Sequence, residues 1–138
     1  MEILARGEYG VLSTLGPDGQ PYGIPVNYAY RHPILYFHCA QDGHKIDNLR
    51  YNPRVAFCVV GTTRVLPEQF ATEYESAMAF GVASEVTGPE RLDALIWLLE
   101  KYSPEHVDAG KAYIARKAQV TKVIKIEITE LTAKARRG

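Results

Sequence analysis

LYFHCAQDGHKIDNLRYNP, residues 35–53, carries the fold-deciding pattern of the chain. Leu35–Cys39 is a short apolar run that reads as a strand ending in His38 and Cys39. A polar turn, Ala40–Gly43, follows, and then an amphipathic segment, His44–Tyr51, closed by Asn52-Pro53. A strand, a glycine turn and a helix start bearing a lysine make a place to hold an anion. The first amides of a helix have no partner within it, and the helix dipole adds partial positive charge there. Gly43, His44 and Lys45 stand at that point. The competing reading is an exposed turn before a surface helix, with Lys45 solvated. Within the helix, Ile46 and Leu49 are spaced to face a core, whereas Lys45, Asn48 and Arg50 point elsewhere.

Upstream, Met1–Arg6 reads as a single helical turn with Ile3 and Leu4 as docking residues and Gly7 as its stop, so any N-terminal helix is short or missing. Tyr9–Leu15 and Tyr22–Tyr30 are strands joined by the turn GPDGQP, which makes a hairpin. In the second of them Ile24, Val26, Tyr28 and Tyr30 share a face by period two. Pro25 has no amide to give a ladder, which predicts a bulge or an edge there and leaves neighbouring backbone groups free for a ligand. Arg31–Pro33 is a turn.

Downstream, Arg54–Gly61 is a buried strand by its continuous apolar content, and Thr62–Thr72 reads as a crossing loop. Glu73–Gly88 is a long strand. One face holds only Ala77, Ala79, Gly81 and Ala83 besides Glu75, and Gly81 predicts a tight bend or a close backbone approach. Gly88-Pro89-Glu90 opens a helix with Leu92, Leu95, Ile96 and Leu99 on its apolar face, ending near Tyr102. Ser103-Pro104-Glu105 opens a second helical stretch that Gly110 interrupts, and Val120–Thr132 is a final strand. About six hairpin-connected strands with helices placed late predict a mainly β fold. Its form is a small antiparallel barrel with helices outside.

At 138 residues the chain is most simply one domain, 1–138, able to bury roughly two thirds of its unfolded surface. Sixteen basic residues balance sixteen acidic ones, which gives no electrostatic ground for a nucleic-acid or membrane partner. Cys39 and Cys58 form neither a CxxC pair nor a disulfide framework. No long apolar span or signal-peptide pattern occurs, and a cytoplasmic, reduced protein is expected. The basic cluster Lys134–Arg137 reads as a frayed, solvated tail.

Four histidines invite a metal reading, but His38 and Cys39 are adjacent on one strand and so point to opposite faces, and His44 and His106 lack ligand spacing. No metal site is expected. No G-x-S-x-G elbow, P-loop or G-x-G-x-x-G occurs. What remains is the anion site beside a strand with a proline and aromatic residues. That pairing suits a flat ligand with a phosphate tail, the outline of flavin mononucleotide (FMN).

At EYGVLSTLGPDGQPYGIPVNYAY, LYFHCAQDGHKIDNLRYNPRVAF and YESAMAFGVASEV, with the following helix and EKYSP, the chain resembles a known family. It is similar to the flavin-binding split-barrel proteins related to pyridoxamine 5′-phosphate oxidase, and most to their nitroimidazole-resistance-like subgroup. The resemblance implies a six-stranded antiparallel Greek-key split barrel of FMN-binding type. It also implies a homodimer with two flavins in the interface. By position, Ile24, Pro25, Val26 and Asn27 would lie along the isoalloxazine edge, and His38 and Cys39 by the ribityl-phosphate region. Gly43, His44 and Lys45 would take the phosphate, and Ser76 would approach from the other subunit. A histidine at the His38 position lies by the flavin in the nitroimidazole-resistance-like subgroup, which makes His38 the catalytic candidate; a core histidine bonded to backbone is the alternative. The chain ends TELTAKARRG and keeps its only tryptophan, Trp97, in a helix. It therefore lacks the arginine- and tryptophan-bearing tail of the true oxidases, and vitamin B6 oxidation is not expected.

The resulting expectation is an FMN-dependent oxidoreductase of a small organic substrate, with nitroaromatics among the candidates. Its alternatives are a flavin carrier or sensor without turnover, or a split barrel holding FAD, haem or a deazaflavin in place of FMN.

Overall fold

A computed structural model of the chain describes residues 1–137, the side chain of residue 118 apart. Its strands are β1 (Gly10–Leu15), β2 (Pro21–Val26), β3 (Ala29–Arg31), β4 (Ile34–Ala40), β5 (Arg54–Leu66), β6 (Ala71–Val86) and β7 (Thr121–Arg136). Its helices are α1 (Glu2–Arg6), α2 (His44–Tyr51), α3 (Gly88–Tyr102) and α4 (Val107–Lys117). All strand pairs are antiparallel, in the order β2-β1-β5-β6-β7-β4-β3. The fold is mainly β with flanking helices, but it has seven strands where six are expected, and the sheet is not a closed barrel.

The extra strand comes from a break in the expected strand Tyr22–Tyr30. It divides into β2 and β3, which stand at opposite edges of the sheet and are joined through Asn27 and Tyr28 alone. Such a link spans no more than about 11 Å, so the sheet curls until its two edges nearly meet at this seam. The break is possible because α3 supplies the partners that a ladder would have given. The Tyr28 amide donates to the Tyr102 hydroxyl (3.0 Å), and its carbonyl accepts from the Lys101 ammonium (2.9 Å). The Tyr28 ring is fully buried and its hydroxyl donates to the Leu4 carbonyl, which ties α1 to the same corner. Pro25 faces Val11 in unbroken register on this edge strand, so the edge expectation holds and the bulge does not.

The concave side of the sheet encloses the main core, with Leu12, Leu35, Phe37, Phe57, Val59 and Ile126 at its centre and Leu4 and Ile46 closing it. A second cluster lies under α3, where Tyr36, Val86 and Val123 meet Ala94 and Leu95. β4 thus buries both faces, Leu35 and Phe37 inward and Tyr36 outward, which explains its continuous apolar run. The small-residue face of β6 points into the main core, and a Cβ on Gly81 would stand 2.4 Å from the Glu127 carbonyl oxygen. The close approach expected there is met, with a register shift between Phe80 and Gly81.

Several expectations are corrected. Thr62–Thr72 is not a crossing loop; β5 and β6 continue as one long hairpin, because β-branched Thr63 and Val65 pair with Tyr74 and Thr72. The hairpin turns through Pro67–Gln69, and Phe70 closes it in the left-handed region (φ 51°). Lys134–Arg136 is not a frayed tail, since β7 runs to Arg136 and pairs with Tyr74–Ser76. On α3 the buried face is Ala94, Leu95 and Leu98, with Leu92 exposed, because Arg91 and Tyr102 turn this face toward the sheet. Gly110 does not interrupt α4: a Cβ there would fall 2.1 Å from Leu99, so the glycine lets the two helices touch. Asn48 faces inward rather than to solvent, and its amide donates to Thr14 (3.0 Å), joining α2 to β1.

Candidate functional site

The edge strand β2, the end of β4 and the start of α2 converge on an open cleft of about 560 Å³, lined by Tyr9, Pro25, Val26, Asn27, His38 and Lys45. This is an ordinary volume for a small-molecule or cofactor site. Each element contributes for a local reason. β2 has a ladder partner on one side only, so backbone groups turned away from β1 are open to a ligand. Pro25 costs nothing there because its missing amide has no ladder bond to make. Asn27 enters the cleft wall because the chain leaves β2 at the seam. Gly43 precedes α2 without a side-chain cap, and the first bond in the helix ladder runs from the Asp47 amide to the Gly43 carbonyl (3.0 Å). The amides of His44, Lys45 and Ile46 therefore point out of the helix start.

Lys45 is half-buried, with its ammonium 5.6 Å from the centre of the Phe37 ring. Its charge is felt by both neighbours on β4. His38 is exposed at the cleft, yet partial desolvation of its ring and then the Lys45 ammonium hold its pKa below the usual 6.5. Cys39 turns to the opposite side of the strand and packs against the main core. Burial pushes its thiol up, while Lys45 and Lys122 draw it partly back.

Of the residues named from the sequence, Pro25, Val26, Asn27, His38 and Lys45 come together in the cleft, and Gly43 sits at the helix start beside Lys45. Ile24 and Cys39 are packed against the core instead. His44 is exposed and stacks on Tyr22, ring centres 4.1 Å apart and 26° from parallel. Ser76 lies on β6 opposite Val60 and Lys134 and does not line the cleft within one chain. Sequence reasoning missed Tyr9, whose side chain is exposed just before β1 and lines the cleft floor together with Pro25. It also missed the anchoring of the cleft wall by Lys101 and Tyr102. Only their position in EKYS at the end of α3 hinted at this. Among the described residues no group of three or more His, Cys, Asp or Glu side chains could hold a metal ion, and no helix is long and apolar enough to cross a membrane.

The sequence profile of the pyridoxamine 5′-phosphate oxidase family matches residues 1–135. The chain belongs to that family. A comparison with curated proteins finds no match. Among solved structures, one similar fold is a candidate 5-nitroimidazole antibiotic resistance protein from Bacteroides thetaiotaomicron. It has a TM-score of 0.79 at 22% identity, covering 97% of this chain and 80% of that one. Another is an FAD and haem binding protein from Mycobacterium smegmatis, TM-score 0.84 at 17% identity, with 99% and 69% covered. A third is an FAD-binding protein from Mesorhizobium loti, TM-score 0.68 at 21% identity, with 99% and 91% covered. At these identities the likeness shows a shared fold. Proteins on this fold thus include ones described as binding FAD or haem.

Proposed function

We propose that the chain binds FMN in the cleft between β2, β4 and α2 and serves as an FMN-dependent oxidoreductase of a small organic substrate. The observation that carries this reading is the convergence of Pro25, Val26, Asn27, His38 and Lys45 on one open cleft of cofactor size. The donor set fits the ligand. Lys45 and the free amides at the start of α2 suit a phosphate dianion, which prefers charge-assisted donors at a helix N-terminus. The open edge of β2 suits the polar rim of a flat ring, with Pro25 and Val26 against its face. When bound, the flavin supplies hydride or electron transfer at its isoalloxazine ring.

The protein's own part is to bind, orient and protonate. Tyr22 holds His44 against its ring, so that His44 can add a donor near the helix start only within a narrow range of positions. His38, kept neutral, can donate from one ring nitrogen and accept at the other. That neutral histidine also favours a second reading, haem in the same cleft, and the Mycobacterium smegmatis protein described as binding FAD and haem makes both ligands reasonable on this fold. The absorption spectrum of the purified protein separates the two.

A homodimer accompanies this reading. Ser76 has no role in the cleft of its own chain, but it borders an apolar outer face of β1, β5 and β6, to which the cleft connects through Tyr9. Docking a second copy there would let Ser76 of one chain approach the flavin of the other. Lys45→Ala tests the phosphate site. FMN affinity is expected to fall tens- to hundredfold, about 1.5–3 kcal/mol for a charged hydrogen bond. An unchanged FMN titration would remove Lys45 from the site.

A further inference from the structure

A second cavity, of about 480 Å³, lies between α3 and α4 and opens toward the cofactor cleft, because Asn27 and His38 line both. Its remaining walls include Leu95, Leu99 and Tyr102 from α3, and Tyr113 and Ile114 from α4. The flavin reading does not use this space. We propose that it is the substrate compartment, that it takes a flat aromatic compound without positive charge, and that the compound meets the cofactor cleft at His38 and Asn27. The word substrate rests on the flavin reading; the binding of such a compound does not.

Three observations carry the proposal. The walls are aliphatic and aromatic, and Tyr102 contributes its ring, because its hydroxyl is engaged with the backbone of Glu8 and Tyr28. Such walls bury a flat apolar body well. The ionisable groups around the cavity are His38, His106, Lys117 and two tyrosines, with no aspartate or glutamate in the lining. A cation would find no counter-charge there, whereas a carboxylate, nitro or carbonyl oxygen would find donors. Finally, α4 is under-packed. None of its described side chains is fully buried, and it leans on α3 through Gly110 against Leu99 and on the second core cluster through Ile114. Eleven residues make a marginal helix on their own. A ligand between α3 and α4 would supply the apolar contact that this helix otherwise lacks.

The probe is 2-naphthoate, titrated calorimetrically into the full chain with and without FMN, alongside 2-naphthylmethylammonium. Wild-type protein is expected to bind 2-naphthoate at least tenfold more tightly than the ammonium compound, and to do so whether or not FMN is present. Ala109→Trp, which fills the cavity from the exposed side of α4, is expected to weaken 2-naphthoate at least tenfold with FMN affinity unchanged. Lys117→Glu, a surface change at the cavity wall that leaves the packing alone, is expected to reduce or invert the preference between the two probes. No binding of 2-naphthoate, mutual exclusion with FMN, or equal binding by wild type and both variants would overturn the proposal. If FMN itself fails to bind, the flavin reading falls, and the naphthoate titrations alone still decide whether the cavity takes this ligand class.

Discussion

His38, exposed along part of its side chain, owes its lowered pKa first to partial desolvation of the ring and second to the Lys45 ammonium. Its pKa in the folded protein lies below the usual 6.5, so the unfolded chain takes up the proton first as pH falls. Stability contributed by this group therefore declines as pH drops from 6.5 toward the folded value and levels off below it. Histidine-resolved NMR titration is expected to show His38 titrating below 6.5. In Lys45→Met its pKa should rise but stay short of 6.5, because the partial desolvation remains. A His38 pKa that does not move in Lys45→Met would mean that the lysine does not act on the cleft. Much of this chemistry is legible in residues 35–53: alternation along a strand separates His38 from Cys39, and the glycine turn puts Lys45 at a helix start. The inward turn of Asn48 is not legible, because it depends on Thr14, a residue 34 positions earlier that only the fold brings within hydrogen-bond reach.

At the scale of elements, the seam between β2 and β3 is held from outside the sheet. Lys101 and Tyr102, the last two residues of α3, take up the amide and carbonyl of Tyr28, and the Lys101 ammonium stands 3.6 Å from the centre of the Tyr28 ring. Period two on Ile24, Val26, Tyr28 and Tyr30 reads as one strand because the pattern holds across the break. What ends β2 is a pair of side chains 73 and 74 residues away, which no local pattern carries. Burial pushes the Lys101 pKa down from 10.5 to about 8. Below pH 8 both folded and unfolded chains carry the charge, and folding bears the cost of burying it. Between about 8 and 10.5 the folded chain releases the proton while the unfolded chain keeps it, so stability rises with pH. Urea unfolding across this range is expected to show that rise in the wild type and its loss in Lys101→Met. An equal rise in the variant would assign the effect to another group. Because Asn27 directly precedes this corner, Tyr102→Phe is expected to loosen the cleft wall as well as the seam.

Over the whole molecule, the helices cover unequal parts of the sheet. α3 lies over β4 and β7, while among the described residues the helices that touch β1, β5 and β6, α2 and α1, pack on the core side through Ile46 and Leu4. Cross-strand pairing sets Val11 beside Cys58 and Cys58 beside Met78, and it sets Ser13, Ala56 and Phe80 in the next row. Val60 is 56% exposed and Phe80 40%, so apolar side chains form a continuous surface with Ser76 at its border. Contiguous apolar patches of this kind are candidates for association with a second chain or a ligand. The alternation on β6 shows in the sequence that one face is small and the other large, but not which is inward. The core takes Ala77, Ala79 and Ala83, and this turns Met78, Phe80 and Val82 outward. Sedimentation velocity at micromolar concentration is expected to find a dimer for the wild type and a monomer for Phe80→Lys, which puts a charge into the patch beside Glu130 of β7. If the flavin lies in that interface, the same variant loses FMN affinity at least tenfold, about 1.4 kcal/mol, although it changes no residue of the cleft. Lys45→Ala should lose FMN and remain a dimer. A monomeric wild type, or a Phe80→Lys monomer that holds FMN at full affinity, would confine the flavin site to a single chain and leave Ser76 without a part in it.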